Sequence, residues 1–199
     1  MPQVTFYFDL GSPYAYLAAE RLPGLLAEPV EWQPLSLGGL FKLTGRSSWA
    51  LAGAERRQAG MAEIELRARA YELPPIRWPD PWPGNYLTAM RAATFAFARG
   101  FGREFTMCAF RDAFQLGRDL SIPAHVLDVA ERVGLDRGEV GAATQADEVK
   151  QALRRATEAA RGLGVIGVPT IAVDGEPFWG DDRIEDAAAR LQGKLARRS

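Results

Sequence analysis

Strand-forming sequence lies at the two ends of this chain, and a long helical stretch separates them. Val4-Thr5-Phe6-Tyr7-Phe8 is β-branched and aromatic throughout, which suits a buried strand over residues 3–8. Asp9-Leu10-Gly11 breaks it, and Ser12-Pro13 then reads as a helix start, with Ser as N-cap and Pro at the first helical position. Tyr14 to Leu22 carries the helix, and Pro23-Gly24 is expected to end it. Pro29 to Leu35 alternates as a second strand, so the opening is β-α-β and predicts a parallel pair with a right-handed crossover. The strand pattern returns at Val168–Val173. Asp174-Gly175 is a two-residue hairpin turn, Pro177-Phe178-Trp179 is the return strand, and a last amphipathic helix is expected over 183–196.

From about residue 47 to 163 the periodicity is helical, with candidate helices at 54–71, 86–99, 102–117, 123–133, 136–143 and 145–163. The Pro- and Trp-rich run Leu73 to Gly84 is too proline-dense for regular structure, which places it over the surface or over a cleft. No internal repeat interrupts this order.

Composition removes several classes of function. The 199 residues are 47% hydrophobic and 25% charged, with a net charge of −1, so nothing draws the chain in bulk to nucleic acid or to an anionic membrane. No basic n-region with an apolar run opens the sequence, and no stretch approaches the roughly 18 apolar residues of a membrane span. The expectation is a cytoplasmic protein without a membrane or nucleic-acid partner. Cys108 is the only cysteine, so an intrachain disulfide and a CxxC redox pair are both ruled out. Its neighbours Phe105, Met107 and Phe110 make it read as a buried, inert thiol. With one cysteine and one histidine, His125, no metal site is expected; His125 follows Pro123 at a helix start and reads as a surface residue.

Three segments together resemble one family. Phe8-Asp9-Leu10-Gly11-Ser12-Pro13-Tyr14-Ala15-Tyr16-Leu17 is similar to the F-D-x-x-S-P-Y-x-Y-L opening of 2-hydroxychromene-2-carboxylate isomerases and kappa-class glutathione transferases. Gly167-Val168-Pro169-Thr170 resembles the thioredoxin-fold G-V-P-T element, whose proline is cis, and Phe178-Trp179-Gly180-Asp181-Asp182-Arg183 resembles the family's F-W-G-Q-D-R segment. The resemblance covers nearly the whole chain. It implies an α/β chain with a DsbA-like thioredoxin fold: a discontinuous thioredoxin-like domain, 1–46 and 164–199, and an inserted all-helical domain, 47–163. In that superfamily a CxxC normally stands in place of Ser12 to Ala15.

The resemblance implies glutathione as a bound co-substrate, a small-molecule electrophile as its partner, and an isomerase or transferase reaction. Homodimers are common in the family. Ser12 would be the catalytic residue. The free N–H groups and dipole of a helix N-terminus favour a thiolate, and the Ser12 hydroxyl adds one hydrogen bond to the sulfur. Read locally, Ser12 is also an ordinary N-cap, and the two roles are compatible. Pro169 would turn the Val168 backbone toward the cleft, where it pairs with the cysteinyl part of the ligand like an added strand; the local alternative is a trans proline at a strand start. Trp179, Gly180, Asp181, Asp182 and Arg183 would receive the γ-glutamyl end, or else form a plain capping cluster. Asp181 departs from the family's Gln and brings an extra negative charge to that end.

The acceptor side matches less well. The family has T-G-N, then a Lys and a Tyr on the next helix; here the residues are Thr44-Gly45-Arg46, with Arg57 and Met61 near the last two positions. Arg46 and Arg57 would hold an anionic substrate. Asn85 fits the family's P-x-N-x-L element and either lines the cleft or caps the helix at 86–99. Trp49, Trp78, Trp82 and Tyr86 either form an aromatic wall for an apolar substrate or pack among themselves. A disulfide oxidoreductase fails on chemistry, because Ser12 and Ala15 carry no sulfur. A protein that binds a thiol or peptide without turnover, and an enzyme using another low-molecular-weight thiol, stay open beside the glutathione-dependent reading.

Overall fold

A computed structural model describes residues 2–193 of the chain. Its strands are β1 (Val4–Phe8), β2 (Val30–Pro34), β3 (Thr170–Val173) and β4 (Glu176–Trp179), in the sheet order β2-β1-β3-β4. β1 runs parallel to β2, with Val4 opposite Val30 and Phe8 opposite Pro34. It runs antiparallel to β3, and β3 to β4. All five residues of β1 are buried, as an uninterrupted β-branched and aromatic strand in the middle of a covered sheet requires. Pro177 sits in β4, at the sheet edge, where its missing N–H costs no ladder bond. Asp174 and Gly175 take φ of 50° and 84°, the left-handed pair of a tight hairpin turn.

The helices are α1 (Pro13–Leu25), α2 (Leu37–Thr44), α3 (Ala54–Ala70), α4 (Leu87–Ala98), α5 (Gly102–Gln115), α6 (Pro123–Arg132), α7 (Arg137–Gln145), α8 (Asp147–Gly162) and α9 (Ile184–Leu191). Two expectations are corrected. First, α1 does not stop at Pro23-Gly24 but runs on to Leu25. Leu22 and Leu26 are buried in the core on either side of that pair, and their packing outweighs the backbone bond a proline removes. Second, α2 lies in a segment to which no element was assigned. Gly38 and Gly39 weaken its helical pattern, yet both ends are marked: the Ser36 hydroxyl accepts from Gly39 N–H at 3.1 Å, and Gly45 closes the helix at φ 69°. The last helix begins as a 3-10 turn over Asp181–Arg183 and continues as α9. Positions 194–196 of that expected helix lie outside the described residues. No helix among the described residues is long and apolar enough to cross a membrane.

Alternation along β1 divides the core. Phe6 and Phe8 point to one face and Tyr7 to the other. On the Phe8 side α5 delivers Phe105, Phe110 and Phe114, all fully buried, against α1. The Phe110 ring lies 6.0 Å from Phe8 and 6.3 Å from Tyr16. The inserted helices therefore share one apolar core with the sheet. On the opposite face Tyr7 packs with Leu35, Leu40, Ala160 and Val168, which brings α2 and α8 against the sheet. Phe110→Ala should lower the unfolding free energy by about 3–5 kcal/mol in urea titrations followed by circular dichroism. A loss below about 1 kcal/mol would contradict this packing.

Candidate active site

The site is built where β1 ends. The Asp9 carboxylate accepts from Gly11 N–H at 2.8 Å and from Leu37 N–H at 2.7 Å, so it fixes the turn before α1 and the start of α2 together. Burial pushes this carboxyl up to about 6, against the two backbone N–H groups that pull it down. Gly11 has no room for a side chain, since a Cβ there would lie 2.4 Å from the Tyr86 ring. Ser12 follows in extended conformation as the N-cap of α1, accepting from Ala15 N–H at 3.2 Å. The Ser12 side chain is buried, and its Oγ–H faces the Val168 carbonyl at 3.5 Å.

Val168-Pro169 is a cis bond, and the segment is pinned on both sides. Thr170 Oγ1 donates to the Gly167 carbonyl at 2.8 Å, and Gly180 N–H donates to the Pro169 carbonyl at 3.0 Å. Gly167 approaches the Trp179 indole closely, and a Cβ there would come within 2.6 Å of Nε1. The Arg46 guanidinium lies over that indole at 4.9 Å from the ring centroid. Gly180 takes φ 127°, a backbone conformation that favours glycine.

Ser12, Val168 and the Trp179–Asp182 segment open onto a cleft of about 540 Å³. Its far wall is aromatic. Trp49 and Trp82 line it with ring centroids 5.5 Å apart, and Tyr14 meets Trp49 edge-on at 6.2 Å. Burial pushes the Tyr14 phenol up to about 12, with Glu63 adding to the shift, so it keeps its proton near neutral pH. The other two expected wall aromatics stand behind this layer. Trp78 packs on Trp82 at 4.6 Å and donates to Glu65, while Tyr86 is buried against Gly11.

Three arginines line the cleft: Arg46, Arg56 and Arg67. Arg57 is not among its lining residues. α3 turns about 100° per residue, so Arg56, Gly60, Glu63 and Arg67 form one stripe and Arg57 falls beside it. Gly60 on that stripe gives Trp49 its place, since a Cβ there would lie 2.1 Å from the indole. Asn85 is exposed and outside the cleft lining; the N-cap position of α4 is Tyr86, and Asn85, one residue before it, accepts from Leu87 N–H at 3.1 Å through its side-chain oxygen. Arg183 also lies outside the lining and pairs with Asp186 on its own helix. Cys108 is half-buried rather than buried, and what burial it has pushes its thiol up.

Asp181 is turned inward. Its carboxylate is buried and accepts from Arg67 Nη1 at 2.9 Å and from the Tyr71 hydroxyl at 3.0 Å. Its backbone carbonyl accepts from Arg21 Nη1 at 2.7 Å, and Arg21 stacks on Tyr71. Burial pushes this carboxyl up, opposed by Arg67 and Tyr71. The charge that departs from the family pattern is thus tied to Arg67. Asp182, more exposed, stands 3.6 Å from the same guanidinium. Sequence reading missed Asp9, Tyr14, Arg56 and Arg67. For the two arginines, the helical period of α3 measured from Gly60 was the available signal.

A parallel β-α-β unit and an antiparallel hairpin joined through inserted helices, with a cis-proline facing the first helix, define the thioredoxin class. The chain belongs to the DsbA-like thioredoxin domain family, whose model matches residues 3–192. It is similar to the 2-hydroxychromene-2-carboxylate isomerase of Sphingobium xenophagum, 27% identical over 188 residues, which covers 92% of this chain and 94% of that protein. Its fold is similar to a solved structure of a 2-hydroxychromene-2-carboxylate isomerase, with TM-score 0.81 and 23% identity over 98% of this chain and 99% of the other. It is also similar to the cytosolic disulfide reductase DsbM from Pseudomonas aeruginosa with GSH, with TM-score 0.67 and 16% identity over 97% and 98% of the two chains.

Two outcomes follow from this geometry. The Asp9 carboxyl holds its proton to higher pH in the folded than in the unfolded chain, so its contribution is fully present below pH 4 and is lost as pH rises through about 6. That loss is on the order of 2–3 kcal/mol, and Asp9→Asn should flatten it in unfolding curves measured from pH 4 to 7. Arg67→Met should cost about 3 kcal/mol by leaving Asp181 buried without its cation, and Arg67→Met with Asp181→Gln should recover part of that loss in the same measurement.

Proposed function

We propose that the chain is a glutathione-dependent isomerase of the 2-hydroxychromene-2-carboxylate isomerase type. The observation that carries this reading is Ser12: a buried hydroxyl at the N-terminus of α1, 3.5 Å from the Val168 carbonyl, where the thioredoxin class keeps a cysteine. A site of this shape without its own sulfur suits a thiol brought by a ligand. The names of the similar proteins support the same reading, as does the GSH in the DsbM structure.

The residues present fit glutathione. A cleft of about 540 Å³ has room for a tripeptide beside a small second substrate. Ser12 Oγ and the N-terminal N–H groups of α1 would hold the sulfur as a thiolate. Val168 would pair with the cysteinyl backbone. At the γ-glutamyl end, Asp182 would meet the α-ammonium, and Arg67 offsets the charge of Asp181. Bound glutathione supplies a thiolate that adds to a conjugated double bond and leaves after rotation about it, so the substrate returns as its isomer. Trp49 and Trp82 would hold the flat body of that substrate, with Arg46 or Arg56 on its anionic group.

Reduced glutathione at millimolar concentration should raise the melting temperature and produce the ultraviolet absorbance of a thiolate. Ser12→Ala should keep the thermal shift, lose most of the thiolate signal at neutral pH and cut turnover by about 10²-fold. The absence of any shift with wild-type protein would refute the proposal.

A further inference from the structure

α2 is a partition between two cavities. Leu37 and Phe41, one turn apart, face the catalytic cleft. Gly39, Lys42 and Leu43 face a second crevice of about 320 Å³, whose other walls come from α4 and α8. Leu43, Leu87 and Leu153 make its apolar part, and Leu43 and Leu87 are exposed there. Its polar part is mostly cationic: Lys42, Arg91, Lys150 and Arg154 stand against one carboxylate, Glu158. On a chain of net charge −1 this is a local excess of positive charge.

Two of these cations already have partners on their own helix, Lys150 with Asp147 at 3.1 Å and Arg154 with Glu158 at 2.8 Å. Lys42 and Arg91 have no carboxylate within ion-pair distance among the described residues. Arg91 is the telling one. It is half-buried, and its one bond is long, 3.4 Å from Nη1 to the Thr144 carbonyl. A guanidinium does not shed its proton to relieve burial, so a desolvated arginine beside an apolar wall favours an anion. An inorganic ion would leave Leu43 and Leu87 in water, whereas a carboxylate on an apolar body covers both parts.

We propose that this crevice is a second binding site, separate from the catalytic cleft, for a small organic carboxylate with an apolar tail of medium length. The tail lies on Leu43, Leu87 and Leu153, and the carboxylate lies between Lys42 and Arg91. Its volume of about 320 Å³ stands at the lower end of the range for small-molecule sites, which suits a ligand of modest size.

Octanoate is the probe, titrated into the full ¹⁵N-labelled chain at low ionic strength while amide shifts are followed. Saturable shifts should centre on Gly39, Leu43, Leu87 and Thr157, and not on Gly11, Val168 and Gly180. Acetate, which has the charge without the tail, should bind at least tenfold more weakly. Lys42→Glu with Lys150→Glu, both surface changes, should weaken octanoate at least tenfold with the fold intact by circular dichroism. Arg91→Gln should do the same, and Arg91→Lys should restore part of the affinity. Shifts centred on the catalytic cleft, shifts that never saturate, or full affinity in the Lys42→Glu/Lys150→Glu protein would each overturn the proposal. None of these readouts depends on glutathione, so this result and the test of the catalytic reading stand apart.

Discussion

The Asp9 carboxylate receives two backbone N–H groups from segments that are far apart along the chain but adjacent at the end of β1. One belongs to the turn that presents Ser12, and the other opens α2, whose Leu37 and Phe41 form part of the cleft wall. Both segments start new helices, whose first N–H groups lack intrahelical acceptors. A buried carboxylate between them takes the first N–H of α2 and the Gly11 N–H of the turn before α1, and so ties the two walls together. Its own burial is costly, which is why its proton is held to about pH 6. The turn before Ser12 and the start of α2 on the cleft wall both rest on this one side chain.

A second tie closes the other end of the cleft. Arg67 comes from the inserted helices and Asp181 from the turn before α9, and their contact joins the two parts of the fold across the site. Tyr71 and Arg21 complete the clasp from α3's end and from α1. An acidic residue here, where the family pattern has Gln, therefore works as the counter-ion of an arginine on the cleft wall. The cleft keeps a cation where its own acid would otherwise repel a ligand carboxylate.

The same helix that shapes the wall of the cleft also shapes the crevice behind it. α2 is only eight residues long, so its two faces lie within one helix diameter. The face with Leu37 and Phe41 lines the candidate cleft, and the face with Lys42 meets a cationic, leucine-lined groove. Thr157 on α8 accepts from Ser36 N–H at 3.0 Å and lines that groove, so the groove reaches the cap residue that starts α2.

Local signals alone determined much of this protein. The strands at both ends, the Ser12-Pro13 helix start, the Asp174-Gly175 turn and the absence of a redox cysteine pair were all legible, because each depends on a few neighbouring residues. Other features were decided only in three dimensions. α1 crosses Pro23-Gly24 because Leu22 and Leu26 are buried by distant partners. Arg56 and Arg67 reach the cleft and Arg57 does not, because the phase of α3 is set by Trp49 seating on Gly60. Asn85 spends its side chain on Leu87 N–H, and Asp181 turns inward because Arg67 and Tyr71 arrive from more than a hundred residues away. Backbone propensity acts over one turn of chain, whereas burial and charge pairing act through space, and this site is assembled by the second kind of force.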